Sequence, residues 1–237
     1  MINSADFYCY KTIDSTNSEA RRKIGEGIAL PAVFVAEKQT DGRGRRGRSF
    51  FSEGGLYMSI AIDTSEKDTV LLTTAAAVAV AEAIEETIGI TVGIKWVNDL
   101  YFDGKKVCGI LCEAVNDKES GKISSVIIGV GINLNVTEFP KELEGIAGGI
   151  ASDGISRKKL AEEITERIIT VLDDSSDIIE RYKKRSIVLG RDISYEKNGT
   201  TYLAKAFDID PSGGLIVQNE DGTRAILSSG EITLRII

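Results

Sequence analysis

The sequence predicts an α+β protein: a mixed β-sheet with flanking helices over residues 1–186, followed by a small β-barrel over residues 187–237. Three observations carry that reading. Strand-like apolar runs alternate with helical patterns as far as Arg185. Asp103-Gly104 lies between two apolar runs, where a two-residue hairpin turn requires positive φ at both central positions. From Arg191 the texture changes to four or five short strands punctuated by Asn198-Gly199, Gly213-Gly214 and Asp221-Gly222.

Taken in order, residues 6–11 and 32–38 read as strands. Between them a helix opens at Asp14-Ser15-Thr16, with Thr16 and Glu19 at capping-box spacing. Residues 56–62 form a further strand, and the Ala-rich stretch 69–88 a helix that Gly89 ends. Residues 92–97 and 106–114 flank the Asp-Gly turn, and 123–133 adds another strand. Simple alternation puts Lys106 and Cys108 on one face of the return strand, with Lys105 and Val107 on the other. In 156–172, Leu160, Ile164, Ile168 and Val171 recur at helical spacing, and a mixed-charge helix continues to Arg185.

Composition excludes several chemistries. The 237 residues are 42% hydrophobic, enough for a sizeable core. The 29 basic against 36 acidic residues leave a net charge of −7, which argues against a general coat for DNA or anionic membrane. With no histidine, Ser-His-Asp and Cys-His catalysis and His-ligated zinc are ruled out. Cys9, Cys108 and Cys112 are an odd set that fits a reducing cytoplasm, and Cys108 with Cys112 is too thin a ligand set for a metal. The small-apolar run 75–81 falls far short of the ~20 residues that span a bilayer. The expectation is a soluble cytoplasmic protein.

The most informative segment is Gly42-Arg43-Gly44-Arg45-Arg46-Gly47-Arg48, which puts three glycines and four arginines between two strands. Glycine lets backbone N–H groups approach a ligand, and guanidinium forks suit carboxylate and phosphate, so the loop reads as an anion-binding site. It lacks the spacing of a Walker loop or a dinucleotide fingerprint. Lys95-Trp96-Val97-Asn98-Asp99 ends an apolar strand on a polar pair that marks a turn or a site. Lys105-Lys106 opens the return strand, where one lysine can face a cleft and the other water. Ser15-Thr16-Asn17, taken alone, reads as a helix cap. Gly129 to Asn135 ends a buried strand with glycines that permit close approach and an asparagine, Asn133, that can reach a ligand.

Together these segments resemble the biotin protein ligases. The arginine loop is similar to that family's adenylate-binding loop, Lys95-Trp96-Val97-Asn98-Asp99 to its Lys-Trp-Pro-Asn-Asp motif, and the Gly129–Asn135 run to its Gly-Ile-Asn strand. The resemblance implies a class II synthetase-like catalytic fold with an SH3-like C-terminal barrel. It implies biotin contacts from Ser15, Thr16, Asn17, Gln39, Gly42, Arg43, Gly44, Arg45, Lys106 and Gly109, and ATP contacts from Arg43, Arg45, Arg46, Lys95, Trp96, Asn98 and Asn133. Lys106, Arg43 and Asp99 would be catalytic, and Asp99 would also meet Mg²⁺. The implied reaction makes biotinyl-5′-AMP from biotin and ATP and passes biotin to a lysine of a carboxylase's biotin carboxyl carrier domain. A homodimer is also implied. The chain opens directly on its first strand, so no winged helix and no operator DNA binding are expected. Val97 departs from the family's proline and removes a fixed φ from the turn before Asn98. Lipoate ligases and octanoyl transferases are the near alternatives, expected to lack the arginine loop. A nucleic-acid module is the distant one, disfavoured by the charge and by few aromatics in the barrel.

Overall fold

The computed structural model describes residues 5–63, 71–117, 119–150, 154, 156–197, 199–228 and 233–237, without the side chains of Arg46 and Thr233. The first part is built from β1 (Asp6–Ile13), α1 (Thr16–Gly25), β2 (Ala32–Gln39), β3 (Glu53–Asp63), α2 (Leu72–Ile88), β4 (Gly93–Lys95), β5 (Asp99–Phe102), β6 (Lys105–Asn116), β7 (Ile123–Ile132), α3 (Arg157–Asp173) and α4 (Ile178–Arg185). Its sheet runs β1-β2-β3-β7-β6-β5-β4. Only β1 and β2 pair in parallel, joined by α1, and the remaining neighbours are antiparallel.

The period-two alternation of the central strands divides the molecule into layers. Val33, Met58, Ile60, Ile128 and Val130 face one side, where they join α2 and α3 in the main core. Helix α2 lies buried in that layer, and its alanines let it approach the sheet closely. Gly89 closes it in the left-handed conformation at φ 76°, as its position after the alanine run predicts. Phe34, Ala61 and Ile127 face the other side and pack with Ala20 of α1. Helix α1 covers only one end of that second face. The rest of the face is left to loops, and there the cleft opens.

Three local expectations are corrected. The 92–97 run is not one strand: it breaks at residues 96–98 into β4 and β5, a hairpin of its own, and the Trp96–Val97 peptide is cis. The Asp103-Gly104 turn then joins β5 to β6, with φ 49° and 71° as its dipeptide predicts. On β6, Leu100 pairs with Cys108 but Tyr101 pairs with Lys106, so Val107 is an extra residue in the ladder. That bulge swings Lys106 to the side of Gly109 and leaves Cys108 in the core, against simple alternation. At α1 the helix cap is Ser15, not Thr16, and no side chain caps it. Thr16 and Glu19 are used elsewhere, as described below.

The C-terminal strands are β8 (Asp192–Lys197), β9 (Thr200–Ile209), β10 (Leu215–Asn219), β11 (Arg224–Leu227) and β12 (Thr233–Ile236). They form one antiparallel sheet in the order β11-β10-β9-β8-β12, which does not close into a barrel among the described residues. The expected turn residue Asn198 and helix residues 69 and 70 lie outside the described residues. The sheet is tied to the rest: Ile193, Ala206, Leu215 and Val217 belong to the main core, and Lys183 of α4 pairs with Asp208 at 2.8 Å. The buried indole N–H of Trp96 donates to the Gly213 carbonyl at 3.0 Å. Replacing Trp96 by Phe keeps most of the packing but orphans that carbonyl, which should cost about 1–3 kcal/mol in chemical denaturation. An unchanged midpoint would show that the contact contributes nothing to holding the two sheets together.

Candidate active site

A cavity of about 480 Å³ opens on the α1 side of the sheet, within the size range of small-molecule pockets. Its floor is made of glycines. Gly109 on β6 and Gly131 on β7 are direct cross-strand partners. The Phe50 ring lies over both: a Cβ at Gly131 would stand 2.5 Å from it, and one at Gly109 3.0 Å. Phe50 follows the arginine loop, and its ring meets buried Tyr57 edge-on at 6.4 Å between centroids. Desolvation pushes the Tyr57 phenol up to about 12.

One end of the cavity is a buried hydrogen-bonded cluster. Thr16 donates from its backbone N–H and can donate from its hydroxyl to Gln39 Oε1, at 2.8 and 3.0 Å. Gln39 Nε2 donates to Ser52 Oγ at 2.9 Å, and Ser52 donates to the Phe50 carbonyl. Ser59 Oγ is 2.7 Å from Thr16 Oγ1 and 2.6 Å from Asn17 Oδ1. Asn17 Nδ2 donates to Glu113 Oε2 at 2.7 Å. Ser15, Thr16 and Asn17 are therefore not simply a cap. Their turn is pinned from outside by Arg22, whose Nη1 and Nη2 donate to the two Asp14 oxygens at 2.8 Å each. The Asp14 carbonyl in turn accepts from Asp41 N–H at 2.8 Å, at the root of the arginine loop.

The other end is cationic. Lys106 Nζ is 2.6 Å from Asp99 Oδ1, and Lys95 stands over the Tyr101 ring at 5.3 Å. Burial lowers the Lys95 pKa, partly offset by Asp99, while Lys106 and Arg235 add to the lowering. Arg45 Nη1 donates to Asn98 Oδ1 at 2.9 Å, and Asn98 Nδ2 donates to the Ile110 carbonyl at 2.6 Å, so Asn98 braces the loop against β6. Arg43 is exposed, 3.8 Å from Asp41 Oδ2. The loop itself is closed by Gly44 N–H on the Arg48 carbonyl and Phe50 N–H on Gly42, with Gly42 buried. Residues 146–148 run beside Lys106, giving and taking backbone hydrogen bonds, and Asn133 Nδ2 donates to the Gly148 carbonyl.

The fold thus brings Ser15, Thr16, Asn17, Gln39, Arg43, Gly44, Arg45, Lys95, Trp96, Asn98, Asp99, Lys106, Gly109 and Asn133 to one cleft. The Arg46 side chain lies outside the described residues. Trp96, Asn98 and Asn133 direct their side-chain hydrogen bonds into the protein, so they read as walls and braces. Sequence reading missed Phe50, Ser59, Glu113 and Arg235. A serine inside the apolar run 56–62 was the available signal for Ser59. Arg235 comes from β12, and nothing local links it to the cleft.

The family model described as Biotin/lipoate A/B protein ligase family matches residues 10–133, just over half of the chain. This chain belongs to the biotin/lipoate A/B protein ligase family. A second model, Biotin protein ligase C terminal domain, matches residues 188–235. Among curated relatives in the ligase family, the bifunctional ligase/repressor BirA of Bacillus subtilis is 32% identical over 93% of this chain and 71% of its own length. The biotin–[acetyl-CoA-carboxylase] ligase of Mycobacterium tuberculosis is 26% identical over 92% of this chain and 85% of its own. Among solved structures, the Aquifex aeolicus biotin protein ligase in complex with biotin and ATP superposes with a TM-score of 0.83 at 28% identity, covering 98% of this chain and 99% of that one.

The Arg22 clamp makes a measurable claim. Its guanidinium holds the Asp14 carboxyl down at about 2, against an ordinary value of 3.8. Because the folded value is the lower one, the clamp's contribution is present above pH ~4 and is lost as pH falls through the folded value. In an Arg22→Met variant, Asp14 should titrate near the ordinary value by side-chain carbon NMR. An unmoved Asp14 titration would contradict the clamp.

Proposed function

We propose that this chain activates biotin with ATP, forming biotinyl-5′-AMP, and transfers biotin to a lysine of a carboxylase carrier domain. The observation that carries the reading is the single cleft joining a buried polar cluster, a bare glycine floor and a group of cations. The polar end, Ser15, Thr16, Asn17 and Gln39, would take the ureido head, with Phe50 covering the rings over Gly109 and Gly131. The acid's carboxylate would then reach Lys106 and the arginine loop.

The first step forms a bond from the biotin carboxylate oxygen to the α-phosphorus of ATP and breaks the bond to pyrophosphate. Two anions must meet, so the barrier is mostly electrostatic, and fixed cations lower it without histidine or a covalent enzyme intermediate. Lys106 would serve the carboxylate and the bridging oxygen, and Arg43, Gly44 and Arg45 the α-phosphate. Lys95 and Arg235 lie on the side open to the remaining phosphates. No group of three or more acidic or cysteine ligands occurs among the described residues, so any Mg²⁺ would rest on the phosphates with Asp99 as its carboxylate, neutralising phosphate charge. In the second step the carrier amine attacks the anhydride carbonyl, an amide forms and AMP leaves. Asp99 would accept the amine's proton once the adenylate phosphate draws Lys106 away.

Residues 187–237 act as a second unit that brings Arg235 to the cleft. Three free cysteines among the described residues and dependence on ATP fit a cytoplasmic setting. The acidic balance speaks against a DNA-binding face. The open edge of β1, with Phe7 exposed, offers a second copy of the chain a strand to pair with.

Incubated with biotin, ATP and a recombinant carrier domain, the protein should add one biotinyl group to the carrier by intact mass. Addition of lipoyl or octanoyl groups instead would move the activity within the family. Lys106→Met should lower adenylation by about 10²–10³-fold while biotin binding changes much less. Arg43→Ala should speed loss of the adenylate more than it weakens biotin, and equal effects on both would refute its role.

A further inference from the structure

Glu113 lies outside the catalytic group, on the α1 side of β6, and nothing in the reaction requires a carboxylate there. We propose that Glu113 is a positioning residue that fixes the hydrogen-bond direction of the polar cluster and so selects acids bearing a cyclic urea. The inference rests on the biotin-activation reading and deepens it.

The Asn17 amide is buried, with Nδ2 on Glu113 Oε2 at 2.7 Å and Oδ1 facing Ser59 Oγ at 2.6 Å. A carboxylate only accepts, so it dictates which end of the amide faces it: the flipped amide would set two acceptors against each other. Glu113 is itself held by Arg21, with Nη2 3.4 Å from Oε1. The amide also rests on bare backbone, because a Cβ at Gly129 would run into Asn17 Oδ1.

That orientation propagates. With Asn17 Oδ1 turned inward, the single Ser59 proton is committed to it. The Ser59–Thr16 contact at 2.7 Å then needs the Thr16 proton, which Gln39 Oε1 also needs at 3.0 Å. Four oxygens, those of Asn17, Ser59, Thr16 and Gln39, share two hydroxyl protons and the Thr16 N–H. The cluster is short of donors, and a cyclic urea supplies two N–H groups. Were Asn17 flipped, its Nδ2 would donate to Ser59, the Ser59 proton would pass to Thr16 and the Thr16 proton to Gln39. The oxygens of Ser59, Thr16 and Gln39 would then be satisfied without a ligand, and the pocket would lose its demand for N–H donors; the Glu113 carboxylate prevents this, because it would meet Asn17 Oδ1 as acceptor against acceptor.

The test is isotope exchange between pyrophosphate and ATP, with biotin, desthiobiotin and octanoate as acids, in wild type, Glu113→Gln and Glu113→Leu. Gln keeps the volume but can donate as well as accept, so the Asn17 orientation is then held only by the longer 3.5 Å contact of Nδ2 with the Leu111 carbonyl. Leu removes the acceptor altogether. In Glu113→Leu the KM for biotin and desthiobiotin should rise about tenfold or more, the cost of a lost buried hydrogen bond, with Glu113→Gln between Leu and wild type. The KM for ATP and the octanoate rate should not move. Equal losses for all three acids, or a lower melting temperature with biotin KM unchanged, would overturn the proposal and leave Glu113 a structural residue. If Glu113→Leu does not fold, an unchanged biotin KM in Glu113→Gln overturns it alone. Wild type that exchanges with no acid would instead overturn the activation reading, and the proposal with it.

Discussion

The cleft depends on one constraint: two paired strands at the middle of the sheet present glycine at three of the positions that face it. Gly109 and Gly131 sit opposite each other on β6 and β7, and Gly129 lies two residues away on the same face. On the far face of the same strands, Cys108, Ile110, Val130 and Ile132 fill the core. The sheet therefore has a packed side and a bare side at the same positions. Phe50 packs over the bare pair, and Asn17 sits on Gly129. A single methyl on this floor would displace one or the other. The cavity floor is a consequence of alternation, with Gly129 and Gly131 on β7 and Gly109 on β6 all facing the same side.

Around that floor the charges are sorted by distance from the buried end. The Thr16–Gln39–Ser59–Asn17 cluster is neutral and enclosed, and its one anion, Glu113, is paired to Arg21. Cations gather at the open end, where Asp99 occupies Lys106 and burial disfavours the charge on Lys95. An anion bound there would offset the desolvation of Lys95 and compete with Asp99 for Lys106. The same competition would free Asp99 for proton transfer while phosphate is bound, so the chemistry would not need a histidine.

Much of the fold was legible because it rests on local rules. Gly89 after an alanine run, Asp103-Gly104 between strands, and the Leu160–Val171 spacing each fold as read. The arginine loop and the Lys95–Asp99 segment were legible as sites because neither composition belongs in a core. What escaped was non-local. The bulge at Val107, which decides which way Lys106 points, depends on pairing with Leu100 and Tyr101. The spacing of Thr16 and Glu19 suits a capping box, a local device, but Gln39 and Ser59 draw Thr16 inward, and Tyr10 and Arg22 draw Glu19 outward. Ser59 and Glu113 join the cleft only through their hydrogen bonds to Thr16 and Asn17, and Arg235 reaches it from β12. The turn dipeptides mark short C-terminal strands, but closure into a barrel is not a property that they encode.

By placing cations between them, this cleft would join a carboxylic acid to the α-phosphate of ATP. The most direct measurement is exchange of labelled pyrophosphate into ATP, because it reports that step without an acceptor. Exchange should require biotin and fall steeply when Lys106 is replaced by Met, with lipoate and octanoate giving little. Biotin-independent exchange, or full exchange in Lys106→Met, would contradict the account.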